Sequence, residues 1–130
     1  ALYHDNPEIT AEENLKCDVC IRICKPAGPN GDIGVKTIGG GRFVAFTYIG
    51  EYCKIGAAYD KIYGELLAEG GFETRGNYCF EKYVSDPRCT APEKLKTEIY
   101  IPIEKFAGTR PGKGYNIMAG ILFLTYAPGI

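Results

Sequence analysis

Apolar residues follow two different periods along this chain, and the two periods predict different elements. Residues 51–68 carry apolar side chains at intervals of three and four, the spacing of an amphipathic helix. These are Ile55, Ala58, Tyr59, Ile62, Tyr63, Leu66 and Leu67. Strands are predicted at 17–24, 35–38, 42–49, 78–84 and 97–103, where bulky and polar residues alternate. The mixture indicates an α+β domain.

Two strand segments lead to specific expectations. In 17–24, Val19, Ile21 and Ile23 share one face, which we expect to lie in the core. Gly39-Gly40-Gly41 separates 35–38 from 42–49, and we predict a tight hairpin there. A phosphate cradle is disfavoured because a β-rich segment, and no helix, follows the glycines.

The N-terminus matches a later segment at an offset of eighty residues. Nine residues of the first segment are identical to those eighty positions on: Tyr3, Pro7, Thr10, Ala11, Glu13, Leu15, Lys16, Ile21 and Ile23. We therefore expect one domain over 1–130 that contains a duplicated strand-helix-strand-strand unit. Residues 1–24 are the N-terminally incomplete first copy, 33–103 are the second copy, and 104–130 form an atypical tail. We expect the tail, after a linker at 104–114, to supply a replacement strand, within the chain or across a homodimer.

Composition narrows the functional classes. The chain has 130 residues and a formal net charge of -1, with no clustered basic residues, so direct nucleic-acid binding is not expected. The longest apolar run, 117–126, is interrupted by Gly120 and is shorter than the ~20 residues of a membrane-spanning helix. We expect a cytoplasmic protein.

The six cysteines are interpreted as free, buried thiols. The sequence has no secretory signal, and disulfides are typical of secreted chains. Cys17, Cys20 and Cys24 have spacing reminiscent of a zinc site, but His4 is the sole histidine and no second cysteine pair has ligand spacing. We expect neither a metal nor a cofactor.

Several short segments together resemble one family. They are 3–10 (YHDNPEIT), 17–21 (CDVCI), 34–43 (GVKTIGGGRF), 50–52 (GEY), 59–63 (YDKIY), 80–83 (FEKY), 86–87 (DP) and 97–103 (TEIYIPI). In this order they resemble the GyrI-like small-molecule-binding family, which includes effector-binding domains of AraC-type and multidrug-responsive transcription regulators. The resemblance implies two helices packed on one face of an antiparallel sheet, with a ligand groove near a pseudo-twofold axis.

Glu81 is the main candidate for ligand binding. On the strand pattern alone, a carboxylate that pairs with a nearby Lys or Arg on an exposed sheet face is the simpler interpretation. The resemblance implies instead that Glu81 points into the groove and complements lipophilic cations, which suits a carboxylate among aromatic rings. The expected aromatic walls of the groove are Tyr83, Phe46, Tyr48, Tyr59, Tyr63 and Tyr100.

We therefore expect non-catalytic binding of a small, partly apolar, cationic molecule, in transcriptional or drug response, by a homodimer. Two alternatives stay open. One is a small-molecule hydrolase that uses Glu81 and a tyrosine as acid and base. The other is a protein-interaction module of the gyrase-modulating kind. A Ser-His-Asp or Cys-His catalytic set is not expected, because His4 is the only imidazole.

Overall fold

The structure, a computed structural model, describes the backbone of 1–5, 10–75, 79–106 and 116–126, and the side chains of these residues except 38–41, 105–106 and 116–126. Its strands are β1 (Leu2–Tyr3), β2 (Cys17–Arg22), β3 (Ile33–Ile49), β4 (Phe72–Thr74), β5 (Cys79–Tyr83), β6 (Lys96–Phe106) and β7 (Asn116–Tyr126). Single 3-10 turns occupy Glu12–Asn14, Tyr52–Lys54 and Pro92–Lys94. The helix 55–69 consists of α1 (Ile55–Lys61), a π-helical turn (Ile62–Leu66) and α2 (Leu67–Glu69). The α+β class predicted from the sequence is confirmed.

The antiparallel sheet closes on itself. Its strand order is β3-β7-β2-β1-β5-β6-β4, and β3 also pairs with β6 through Arg42–Ile49. Six strands therefore form a ring, and β4 pairs with the end of β6. Because even an eight-stranded ring has an interior only wide enough for side chains, the helix must lie outside this one.

The helix packs on the outer face of the ring and forms the main core. Its amphipathic spacing directs Ile62 and Leu67 onto β3 and β6. The fully or nearly fully buried members of this outer core are Val44, Phe46, Ile62, Leu67, Phe72, Ile99, Ile101 and Ile103. Since side chains alternate between the faces of a strand, Ile99, Ile101 and Ile103 of β6 all face the helix.

The inner face of the ring holds a second, aromatic cluster. Phe80 stacks on Tyr100 with ring centroids 4.6 Å apart, and it meets Phe43 edge-on at 5.5 Å. Leu2 and Ala45 complete the buried part of this cluster. Leu2 and Phe80 are directly opposite each other on neighbouring strands, so β1 is anchored to β5 through this packing.

Polar side chains meet around Asp18 on the inner face. Its Oδ2 lies 2.8 Å from His4 Nε2 and 2.8 Å from Lys36 Nζ. Burial works to raise the pKa of Asp18, but the hydrogen bonds with Lys36 and His4 outweigh it and hold this pKa below its ordinary value. The cluster links β1, β2 and β3.

The predicted hairpin at the three glycines is wrong. Residues 33–49 form one strand, β3, which runs through Gly39-Gly40-Gly41 with a register shift against β7 between Ile38 and Arg42. The segments on either side of the glycines pair with β7 and β6, not with each other. Glycines in a strand permit a bulge as readily as a turn. Here the pairing of β3 with β6 and β7 selects the bulge.

The predicted burial of one face of β2 is also wrong. Val19 and Ile21 lie on the outer face with 58% and 67% of their surface exposed, and Ile33 and Val35 on β3 are exposed as well. The helix covers the part of the sheet formed by β3, β6 and β5. None of the described residues covers the apolar patch formed by Val19, Ile21, Ile33 and Val35. One described helix packs on the sheet, where the resemblance implied two.

The cysteines are free, as predicted, but four of them are exposed. These are Cys17, Cys24, Cys53 and Cys89. Cys20 and Cys79 are half-buried. Cys17 is exposed because nothing described covers strand β2, and Cys24, Cys53 and Cys89 are exposed because they lie in surface turns.

The tail contributes β7, which lies between β2 and β3. That β7 replaces a strand of the first copy, and that the chain contains a duplicated unit, remain predictions. The linker predicted at 104–114 falls mostly outside the described residues. No helix in the described part of the chain is long and apolar enough to cross a membrane.

Candidate functional site

Glu81 is a buried carboxylate in the middle of β5. Only 6% of its surface is exposed, although it is a charged residue type. It faces the helix side of the sheet together with Cys79 and Tyr83, because residues two apart on a strand share a face. The sheet register aligns it with Ile99 of the outer core on β6. The strand predicted at 78–84 is therefore present as β5.

Three tyrosine hydroxyls donate hydrogen bonds to this carboxylate. Tyr59 Oη lies 2.7 Å from Glu81 Oε1. Tyr83 Oη lies 2.9 Å from Oε2, and Tyr3 Oη lies 3.2 Å from the same oxygen. The donors come from α1, β5 and β1, so three separate parts of the fold converge on one side chain. A carboxylate has about four acceptor positions, and three of them are used here.

The three phenols stay neutral at physiological pH. Burial, reinforced by the neighbouring Glu81, raises the pKa of Tyr3 to about 12. Burial is also the main cause that raises the pKa of Tyr59 and of Tyr83 well above the ordinary tyrosine value, and Glu81 adds to it. The described residues form no ion pair to the Glu81 carboxylate with a Lys, Arg or His side chain. Among the described side chains, the carboxylate is therefore contacted by neutral hydroxyl groups, while the Ala1 ammonium donates to the backbone oxygen of Glu81 at 2.9 Å.

Partly exposed aromatic rings lie next to this carboxylate on the helix side of the sheet. The ring of Tyr83 is 47% exposed and meets the ring of Tyr52 edge-on at 5.3 Å. Tyr48 lies on the same outer face, and its hydroxyl donates to the carbonyl of Glu51 at 2.8 Å, which fixes the turn before the helix. Partly exposed tyrosines offer π-faces to a cation without a large change in packing.

Other predicted site residues lie farther from Glu81. Phe46 is in the outer core, where Ile99 separates it from Glu81 across the sheet. Tyr63 is one helical turn beyond Tyr59 and is 50% exposed. Tyr100 is on the inner face, where its hydroxyl donates to Glu98 Oε2 at 2.7 Å. The structure thus brings Glu81, Tyr59 and Tyr83 together, whereas Thr97 separates Tyr48 from Tyr83 across the sheet.

Tyr3 and Tyr52 contact Glu81 and Tyr83, respectively, although the candidate set omitted both. Tyr3 was visible in the sequence as the partner of Tyr83 in the eighty-residue match. The pairing of Tyr3 with Cys79 places it beside Glu81, which only the strand register reveals. For Tyr52 the sequence offered its position at the start of the predicted helix and its place in the 50–52 (GEY) segment of the family resemblance.

The site offers little for covalent or metal chemistry. Burial, followed by the charge of Glu81, raises the pKa of the Cys79 thiol, which opposes formation of a nucleophilic thiolate. Across the described residues, no group of three or more His, Cys, Asp or Glu side chains is arranged to hold a metal ion.

Comparison with known proteins identifies the family of this chain. The GyrI-like small molecule binding domain matches residues 1–104. A DNA gyrase inhibitor of Enterobacter lignolyticus is 27% identical over 112 residues, which cover 83% of this chain and 69% of that protein. A DNA gyrase inhibitor of Edwardsiella piscicida is 28% identical over 109 residues, 81% of this chain and 69% of that protein. DNA gyrase inhibitor 2 of Dickeya dadantii is 32% identical over 94 residues, 66% of this chain and 56% of that protein.

No solved structure gives a significant match. The family match covers most of the chain and includes Glu81, the tyrosines around it and every strand except β7 and the last two residues of β6. The chain therefore belongs to the GyrI-like small-molecule-binding domain family.

Proposed function

We propose that this domain binds small, partly apolar cations without chemical conversion, and that Glu81 is their counter-ion. The observation that carries the proposal is a 6% exposed carboxylate that accepts hydrogen bonds from three neutral hydroxyls and that no Lys, Arg or His side chain of the described residues pairs with. A buried charge without a partner of opposite sign is unfavourable. A bound cation relieves this by direct attraction, and its apolar part replaces water against the tyrosine rings.

The expected strength of the attraction is substantial. For two unit charges about 5 Å apart and an effective dielectric constant of ~20, Coulomb's law gives about 3 kcal/mol. Desolvation of the cation reduces the net gain, so lipophilic cations with weakly held hydration shells should bind better than ammonium ions with small substituents. The remaining acceptor position of Glu81 is available to an N–H donor of a protonated amine.

A thermal-shift screen tests this function. We expect quaternary ammonium and arylphosphonium cations to raise the melting temperature of the wild-type chain by mass action, and Glu81→Gln to remove most of the rise. Uncharged molecules of similar size should give smaller shifts. If no member of a cation library stabilises the wild-type chain, the proposal is wrong.

A hydrolase that uses Glu81 and a tyrosine is the competing chemistry. The raised pKa of Tyr59 and Tyr83 makes these phenols poor general acids near neutral pH, which favours binding over catalysis. Incubation with small electrophilic substrates separates the two functions: turnover that disappears in Glu81→Gln would favour the hydrolase.

A second candidate function is inhibition of DNA gyrase, which we propose because relatives of this chain carry that name. The exposed outer-face patch of Val19, Ile21, Ile33 and Val35 is the surface we assign to protein contacts, with gyrase or with a second copy of the chain in a homodimer. A supercoiling assay with the wild-type chain and Ile21→Asp tests the first contact. Light scattering of the same two chains tests the second, since a monomeric wild-type chain excludes the homodimer.

A further inference from the structure

Thr97 carries a buried hydroxyl group that the fold leaves without a hydrogen-bond partner. This residue of β6 has 0% of its surface exposed, and in the part of the chain that the structure describes Thr97 Oγ1 makes no hydrogen bond. An unsatisfied buried hydroxyl destabilises a protein, and most buried polar groups are paired. Valine has nearly the same shape and would avoid this penalty. The hydroxyl therefore calls for a reason outside the stability of the fold.

The position of Thr97 points to the ligand site. Thr97 lies on the helix side of the sheet, directly opposite Tyr83 on β5 and Tyr48 on β3. It is the diagonal neighbour of Glu81, because Glu81 is paired with Ile99. Diagonal neighbours on one face of a sheet have Cβ atoms within roughly 7–8 Å of each other. A ligand that reaches Glu81 between these tyrosines is therefore close to Thr97.

The neighbouring hydroxyls are already engaged elsewhere. Tyr83 donates to Glu81 Oε2, and Tyr48 donates to the carbonyl oxygen of Glu51. Each phenol has one proton to donate, so neither serves Thr97 as a donor in this arrangement. The Tyr83 and Tyr52 rings are only partly buried, with 47% and 36% of their surface exposed. Their displacement by a ligand is the simplest route by which Thr97 is reached.

We propose that Thr97 determines specificity by hydrogen-bonding an oxygen atom of the bound cation. The inference rests on the function proposed above and narrows its ligand class. The favoured ligand is a cation that carries an ether, carbonyl or hydroxyl oxygen about two carbons from the charged nitrogen, and not a cation with hydrocarbon substituents alone. The charged end pairs with Glu81 while the oxygen accepts the Thr97 hydrogen.

The test compares two cations of nearly equal shape and charge. Trimethyl(2-phenoxyethyl)ammonium has an ether oxygen where trimethyl(3-phenylpropyl)ammonium has a methylene group. Calorimetric titrations measure both affinities for the wild-type chain, for Thr97→Val and for the control Thr47→Val, an exposed threonine on the opposite face of β3. We expect wild type and Thr47→Val to prefer the ether cation by about 5- to 20-fold, as one buried hydrogen bond implies, and Thr97→Val to lose this preference.

A second measurement addresses the unliganded protein. If the hydroxyl has no partner, Thr97→Val should raise the melting temperature by about 3–6 °C without ligand, whereas Thr47→Val should change it little. A lower melting temperature for Thr97→Val would show that the protein itself uses the hydroxyl, and would overturn the inference.

The outcomes separate this inference from the proposed function. If both cations bind and Thr97→Val keeps the preference for the ether, Thr97 has no part in specificity and the cation site stands. If neither cation binds the wild-type chain, the proposed function fails, and the role of Thr97 fails with it.

Discussion

The hydrogen bond from Tyr59 to Glu81 allows a quantitative prediction about the site. Replacing Tyr59 by Phe keeps the ring on the helix and removes the 2.7 Å bond to Glu81 Oε1, which is the only described bond to that oxygen. Hydrogen bonds to charged groups contribute about 1.5–3 kcal/mol, against about 0.5–1.5 kcal/mol for neutral pairs. With an unfolding entropy of ~2.1 cal/mol/K per residue, a loss of about 1.5–3 kcal/mol in the free energy of unfolding corresponds to a fall of about 6–11 °C in Tm.

Tyr48→Phe is the matched control for this change. Its hydroxyl also donates a short hydrogen bond, 2.8 Å long, but the acceptor is the neutral carbonyl of Glu51. Urea unfolding followed by circular dichroism should give a free-energy loss for Tyr59→Phe at least about 1 kcal/mol larger than for Tyr48→Phe. In the Glu81→Gln background this excess should largely disappear. Equal losses in the two variants, or an excess that persists without the charge, would refute the reasoning.

Further predictions concern the core and the response to pH. Ile101 is 1% exposed in the outer core, so Ile101→Ala should lower the free energy of unfolding by about 2–5 kcal/mol. The control Ile49→Ala, at a 64% exposed position, should change it by about 0.5 kcal/mol or less. Urea unfolding measures both changes. The folded-state pKa of Asp18 is depressed, so its stabilising effect is present above the ordinary value of 3.8 and is lost as the pH falls through the lowered pKa. Asp18→Asn should therefore be less stable than wild type at pH 7, and the difference in Tm should shrink in acid; a constant difference from pH 7 to pH 2 would argue against the assigned role of Asp18.

The parts of the fold that local patterns determine were predictable from the sequence. The helix was predicted at 51–68 and lies at 55–69, because its apolar spacing depends on neighbours within two turns. The alternating pattern of 78–84 correctly predicted strand β5, on which Glu81 and Tyr83 share a face. Tyr59 belongs to the apolar spacing that predicted the helix, and its hydroxyl contacts Glu81.

The errors arose where distant strands decide the local structure. Gly39-Gly40-Gly41 fits a tight turn and a bulge equally well, and only the pairing with β6 and β7 selects the bulge. An alternating strand indicates which residues share a face, but it does not indicate what covers that face. Val19 and Ile21 were therefore assigned correctly to one face and wrongly to the core.

The assembly of the site depended on register in the same way. Tyr3 reaches Glu81 because β1 pairs with β5 across almost eighty residues of sequence. The strand alternation also separates Tyr100 from Glu81, since positions 99 and 100 face opposite sides of β6 and Ile99 is the residue paired with Glu81. The candidate set drawn from the sequence included Tyr100 and omitted Tyr3.

The account depends most directly on whether the charge of Glu81 holds a cation. The decisive measurement is the affinity of trimethyl(3-phenylpropyl)ammonium for wild type, Glu81→Gln and Glu98→Gln by calorimetric titration. Glu98 is a matched control because it also accepts a tyrosine hydrogen bond but lies on the inner face. From a Coulomb attraction of about 3 kcal/mol, we expect Glu81→Gln to weaken binding by about 10- to 100-fold, and Glu98→Gln to leave it within about threefold. Equal affinities for wild type and Glu81→Gln, or an equal loss in both variants, would contradict the account.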